Sequence, residues 1–330
     1  MVPDGSPPLM DHQIAVPNGV VVKVVRREAP LPTLLVSDEV ADEGAARVRR
    51  LRFFLPDGAS SAELVSDHVQ TEMLLRTRGR VDRGCLRHLY HRLMIAGLCC
   101  QARPATRASR VCVLGHGAGA LSTWLSHVLR AAVTAVDSDA SVVSLGRQFF
   151  GDCTPIHVCD AAEFVTAQKG SDRFDAVLID INAAGEPLAA PPARLYSPAV
   201  VSALRRLSGL VIVNVLEGSE EDRHCVARAF ASEFAHVMWL RAPLLCSNHV
   251  LVAGLDLTSA PSQLHLAAWL RVQHNRTSLG LMLGALRFGS SVIAEGLPRV
   301  VTRGRVQSSI HRARVRGSPR GATAVKRQRV

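Results

Sequence analysis

The chain has 330 residues, of which 48% are hydrophobic and 4% aromatic, and a formal net charge of +11. That length is enough to bury a full core, in one large domain or two modest ones. The sparse aromatics argue against a β-propeller and against a nucleic-acid binder built on stacking. The charge is local. Residues 296–330 hold nine Arg, one Lys and no Asp or Glu, which leaves +1 for the rest of the chain.

Only Lys23, Lys169 and Lys326 stand beside the many arginines, a compositional bias rather than a sign of phosphate recognition. The eight cysteines form no Cys-x-x-Cys pair, and several lie in apolar runs where a free thiol behaves as a small hydrophobe. The start, MVPDGSPPLMDH, has neither a basic n-region nor an apolar h-region, and no run of about 18 apolar residues is present. A reduced, cytoplasmic protein without a membrane span is expected, with nuclear entry open through the Arg-rich end.

Residues 1–18 are rich in Pro and Gly and are expected to be disordered. Residues 19–105 read as a small N-terminal β unit followed by helices. Three β-prone runs, 20–25, 34–37 and 51–55, are separated by Pro30, Pro32 and the turn Pro56-Asp57-Gly58. Residues 61–76 read as an amphipathic helix with Leu64, Val65, His68, Val69 and Met73 near one face, and residues 85–100 as a second helix.

From Arg110 strands alternate with helices. Strands are predicted at 111–114, 131–137, 155–160, 174–180 and 209–215, and helices at 121–129, 140–150, 161–168, 198–207 and 219–234. Continuous apolar strands in this rhythm predict a parallel sheet covered on both faces. Two more strands, 236–241 and 248–255, are joined by six residues. That is too short for a parallel crossover, so they pair antiparallel. The fold class is therefore α/β: a Rossmann-like sheet, mostly parallel with an antiparallel final strand, as in class I methyltransferases. Residues 106–257 form this domain. Residues 258–295 read as a C-terminal helical segment, with a helix over 262–272, and residues 296–330 as a basic, disordered tail.

The site chemistry begins at Gly115-His116-Gly117-Ala118-Gly119-Ala120, a Gly-rich turn between a strand and a helix. Glycines there permit a tight turn and a close approach of a ligand to backbone amides. The loop fits both the Gly-x-Gly-x-Gly form of S-adenosylmethionine sites and the Gly-x-Gly-x-x-Ala form of dinucleotide sites. Asp137 ends the second strand, where a carboxylate accepts from ribose hydroxyls, with Ser138 beside it. Asp160 ends the third strand next to Ala161, where a carboxylate accepts from the adenine amine. The plainer alternative for both acids is capping of the following helix. Asp180 ends the fourth strand and opens Asp180-Ile181-Asn182, a loop at the reacting end of the crevice. Asp180 and Asn182 are the candidates for accepting hydrogen bonds from an amine. His88 and His91, one helical turn apart, lack the accompanying Cys or carboxylates of a metal site, and no metal is expected.

These segments, over residues 49–255, resemble the spermidine synthase-like class I methyltransferases. The resemblance is carried by Arg50-Leu51, by the run from His91 to Leu98, by GHGAGAL, Ala135-Val136-Asp137 and His157-Val158-Cys159-Asp160. It continues through the run from Phe174 to Asp180, Pro191-Pro192-Ala193 and Asn214-Val215-Leu216. Within that branch the chain is similar to the C-terminal domain of the methyltransferase-like protein thirteen group, lysine and N-terminal methyltransferases of elongation factor 1-alpha. The resemblance implies S-adenosylmethionine as cofactor. Gly115, His116, Gly117, Gly119 and Asp137 would hold its methionine and ribose ends, and Asp160 with Ala161 its adenine. It departs from the family pattern at His116, where a small or apolar residue is usual, and at Asp137, which replaces Glu.

The function expected is methyl transfer to a protein amine, a lysine or an N-terminus, with a translation factor among the candidate substrates. Polyamine aminopropyl transfer is the alternative. It uses Asp-x-x-Asp after the fourth strand, and here Asp180 is followed by Ala183. An inactive binding protein that keeps the fold, and a nicotinamide dehydrogenase, stand further off. A homodimer is compatible with the N-terminal β unit, and contact with RNA or another anionic surface with the basic tail.

Overall fold

A computed structural model describes residues 16, 19–28, 31–41, 46–54, 69–101, 109–168, 173–182, 189–216, 218–241, 247–257 and 295–296. The predicted disordered start up to residue 15, the helix at 262–272 and the basic tail beyond Gly296 lie outside the described residues.

Alternation of apolar and polar residues builds the first sheet. Strands β1 (Gly19–Val25), β2 (Thr33–Val40), β3 (Arg47–Phe54) and β4 (Val69–Leu74) form an antiparallel meander in chain order. Its apolar face, Leu34, Val36, Leu51 and Met73, packs on Ala118, Ala120, Val142, Leu145 and Phe150 of the larger domain. The other face buries charge. Arg52 binds Glu39 and Ser37, and Arg50 bridges Glu39 at 2.7 Å and Glu72 at 2.6 Å. Such groups are tolerated away from water only when paired.

Strand β4 corrects the helix predicted at 61–76. Residues 69–74 are extended and pair with β3, Leu51 opposite Thr71; residues 61–68 are outside the described chain. Val69, Thr71 and Met73 alternate with Gln70 and Glu72, a period-two pattern hidden under an equally good helical spacing. Pairing with β3 decides between them.

The second sheet has the order β10-β11-β9-β8-β5-β6-β7. Its strands are β5 (Arg110–Leu114), β6 (Ala132–Asp137), β7 (Ile156–Val158), β8 (Ala176–Ile179), β9 (Leu210–Val215), β10 (His236–Arg241) and β11 (His249–Gly254). β9, β8, β5, β6 and β7 pair parallel, and β11 runs antiparallel to both β9 and β10. A two-residue strand, β12 (Glu295–Gly296), adds to the edge of β10. It falls where the sequence reading placed the junction of a helical segment and a disordered tail.

Helices α1 (Leu89–Leu98) and α2 (Ala120–Trp124) cover one face of this sheet, and α4 (Ala161–Ala167), α5 (Pro198–Leu207) and α6 (Glu220–Ala231) the other. Between them in sequence, α3 (Ala140–Phe149) carries Val142 and Leu145 to the N-terminal sheet. α1 begins four residues later than predicted, because residues 85–88 are spent on the approach to it. α2 passes into a π-helical turn, Leu125–Leu129, so the single helix predicted at 121–129 is split.

The chain leaves β5 toward β6 and β7 on one side, and β8 and β9 lie on the other. The carboxyl ends of β5 and β8 therefore flank the point where strand order reverses, which is where open α/β sheets place ligands.

Candidate functional site

A crevice of about 280 Å³ opens at these strand ends. Its floor is the turn from β5 into α2. Gly115, at φ +88°, lies so near β8 that a Cβ there would sit 2.1 Å from the Asp180 carbonyl oxygen. Only glycine fits, so the loop is drawn tight against the end of the sheet. The N-terminal sheet supplies the roof, with Phe53, Gln70 and Thr71 lining the crevice. The Thr71 hydroxyl accepts from the Ala118 amide at 3.2 Å, tying roof to floor.

The acids at the strand ends come together here. Asp137 Oδ2 accepts from the amides of His116 (3.0 Å) and Gly117 (2.8 Å), and Oδ1 from the Asp139 amide. Asp160 is the N-cap of α4: its Oδ1 accepts from the Glu163 amide at 2.9 Å. The capping alternative thus describes Asp160 in part, yet the residue also lines the crevice. Its Oδ2 accepts from Arg194 at 2.8 Å. Ser138 and Ala161 line the same wall.

Asp180 sits at the other end, held on both oxygens. Asn214 donates to Oδ1 at 2.9 Å and receives a bond from Asn248, and His91 Nε2 lies 2.8 Å from Oδ2. The Tyr90 hydroxyl is 3.4 Å from the same oxygen. His91 is 4% exposed, and its Nδ1 has no hydrogen-bond partner. Asn182 is at the rim, where its amide donates to Gln70 at 2.9 Å.

Sequence reasoning missed Tyr90, Gln70 and Arg194, and weighed His91 only as half of a metal pair. His91 and Asp180 are 89 positions apart, and nothing local marks them as partners. The signal available was the unusual imidazole on an otherwise apolar helix. His88, one turn back, has a buried Nε2 without a partner. Burial, and then the neighbouring His91, pushes its pKa down to about 4.

His116 lines the crevice through its backbone. Its side chain turns away from the crevice into the core, where its Nδ1 meets Ser122 Oγ at 3.0 Å and its Nε2 meets Asp152 Oδ2 at 3.1 Å. Both side chains are 0% exposed. Gly119, at φ +91°, makes room for this pair: a Cβ there would lie 2.9 Å from His116 Nε2 and 3.0 Å from the Asp152 carboxyl carbon. Burial alone would raise the Asp152 pKa, but the hydrogen bonds from His116 and Thr154 hold it below the ordinary value.

Four carboxylates therefore line the crevice, Asp137, Asp139, Asp160 and Asp180, of which Asp139 is paired with Arg27 behind it and Asp160 with Arg194 on the crevice itself. Such a cleft favours a cationic ligand over an anionic one. The loop amides of His116 and Gly117 are spent on Asp137, so a pyrophosphate, which needs those donors and no competing acid, fits poorly. Among the described residues no group of three or more His, Cys, Asp or Glu is placed to hold a metal ion. Nor is any helix among them long and apolar enough to cross a membrane.

No family model matches the chain, and no curated protein matches it in sequence. Solved structures match it in fold. A probable spermidine synthase from Corynebacterium glutamicum ATCC 13032 superposes with a TM-score of 0.57 at 16% identity, over 86% of this chain and 99% of that one. Human Methyltransferase-like protein 13 in complex with SAH superposes with a TM-score of 0.50 at 17% identity, over 62% and 93%. The chain shares the fold of these two structures. The antiparallel N-terminal sheet and the mostly parallel sheet with β11 reversed are its two parts.

Proposed function

We propose that the chain binds S-adenosylmethionine and transfers its methyl group to an amine of a protein. The observation that carries this reading is the acid-lined crevice in which Asp137 takes up the amides of the Gly-rich loop. S-adenosylmethionine, with a sulfonium and an ammonium against one carboxylate, is a net cation and suits the acid-lined crevice; an anionic dinucleotide does not. The residues fit the cofactor end to end. Asp160 and Ala161 would hold adenine, Asp137 and Ser138 the ribose, and the loop from Gly115 through Gly117 to Gly119 the methionine part beside Asp180.

When bound, the cofactor supplies an electrophilic methyl on sulfur. The protein's share is alignment and proton management. Asp180 is oriented by Asn214 and His91 and presents a carboxylate to an incoming amine. Asn182 at the rim narrows the approach.

Aminopropyl transfer is the second reading, favoured by the longer superposition on the probable spermidine synthase. Against it stands Ala183, where that chemistry needs a second carboxylate. Labelled methyl transfer from S-adenosylmethionine into a cell lysate tests the proposal. A labelled protein band that disappears with Asp180→Asn supports it. Absence of label, with product formed from decarboxylated cofactor and a diamine, overturns it.

A further inference from the structure

Arg194 belongs to the 3-10 turn Ala193–Tyr196, which follows Pro192 and stands over the start of α4. Its Nη1 donates to Asp160 Oδ2 at 2.8 Å, and its Nη2 lies 3.5 Å from Glu163 Oε1. The side chain is 54% exposed, yet it lines the crevice beside Asp160, Ala161, Ala162, Pro192 and Leu195. These residues form the adenine end of the site as assigned above. The wall is apolar apart from Asp160, and Arg194 is the one guanidinium or ammonium on the crevice among the described residues.

An ion pair this exposed contributes little to stability, and the fold does not depend on it. What the pair does is fix a planar cation on the crevice wall that also carries Ala161 and Ala162. A guanidinium stacks on the face of a purine, and its plane, not only its charge, makes the contact. An acid-lined site for a cationic cofactor has no electrostatic reason to keep an arginine, whereas a π-face does.

We infer that Arg194 is an adenine-binding residue: fixed by Asp160 and Glu163, it closes the adenine slot by stacking on the base. The inference rests on the proposed adenosyl site and adds a residue to it. It assigns Asp160 two tasks at once, accepting from the adenine amine and anchoring the cation above it.

Isothermal titration calorimetry with S-adenosylhomocysteine and with 5′-methylthioadenosine, which lacks the amino-acid part, tests this. Arg194→Ala is expected to weaken both ligands by the same factor, about five-fold, the size of an exposed cation–π contact. Arg194→Lys, which keeps the charge but not the plane, is expected to lose most of that factor. Glu221→Ala on α6, exposed and away from the crevice, is expected to leave both affinities unchanged within two-fold, roughly the precision needed to see the effect. Wild-type affinity in Arg194→Ala would overturn the inference, as would Arg194→Lys binding like the wild type. If the wild-type protein bound neither ligand, the adenosyl reading itself would fail, a result distinct from either.

Discussion

Replacing Gly115 by Ala probes the geometry on which the whole crevice depends. The new Cβ would fall 2.1 Å from the Asp180 carbonyl oxygen and 2.6 Å from its carbonyl carbon, both backbone atoms. Neither neighbour can swing aside, because the Asp180 amide is bonded to Leu114 O at 2.7 Å and the Gly115 amide to Val136 O at 2.9 Å. Relief requires the ends of β5 and β8 to part. Overpacking of this kind costs about 1–3 kcal/mol, and φ +88° adds about 1–2 kcal/mol for a residue with a Cβ, so a loss of roughly 2–5 kcal/mol is expected. Gly117→Ala is the internal control. Its φ is +56° and its nearest neighbour is the Thr71 hydroxyl at 3.2 Å, so it should lose only the conformational part, about 1 kcal/mol. Urea denaturation of both variants measures the difference, and calorimetry with S-adenosylhomocysteine should show that Gly115→Ala also loses binding. Equal midpoints for the two variants would refute the reasoning, since the clash is what separates them.

Further expectations concern the acids and imidazoles. Asp152→Ala leaves His116 Nε2 buried without its partner and should cost about 1–3 kcal/mol at pH 7 by urea denaturation. The folded-state pKa of Asp152 is depressed, so its contribution is present above the unfolded value near 3.9 and fades as pH falls through the folded one. The gap between variant and wild type should accordingly close below about pH 4. His88 acts with the same sign for a different reason: a pKa lowered from 6.5 to about 4 means the unfolded chain binds its proton first. The wild type should lose up to about 3 kcal/mol between pH 6.5 and 4 that His88→Gln does not lose; parallel pH–stability curves would count against a buried His88. Asp160→Asn should weaken S-adenosylhomocysteine more than S-inosylhomocysteine, whose base has no amine to donate, and equal losses would remove Asp160 from the adenine end.

The parallel part of the sheet was readable because its strands are continuous apolar runs that each end at a strand-end residue of distinct chemistry. VCVL stops at Gly115, AAVTAVD at Asp137 and FDAVLID at Asp180, so the same pattern gave both the elements and the site. Residues 69–74 were misread because Val69 and Met73 satisfy a helical spacing as well as a strand spacing, and only the pairing of Leu51 with Thr71 distinguishes the two. The antiparallel ending followed from the length of one link. Contacts between distant segments were beyond reach. His91 meets Asp180, and Asp152 meets His116, because helices and loops converge on the strand ends, a three-dimensional fact with no local signature. For His116 the unusual residue type was visible, but not that its ring would turn inward; the Asp152 that receives it carries no motif.

The proposed role of the crevice is to hold intact S-adenosylmethionine. Calorimetric titration of the wild-type chain and of Asp137→Ala with S-adenosylmethionine, its decarboxylated form and a nicotinamide dinucleotide tests it most directly. Saturable binding of S-adenosylmethionine that Asp137→Ala abolishes, with no heat from the dinucleotide, is the expected result. Binding of the dinucleotide, or of the decarboxylated form alone, would contradict it.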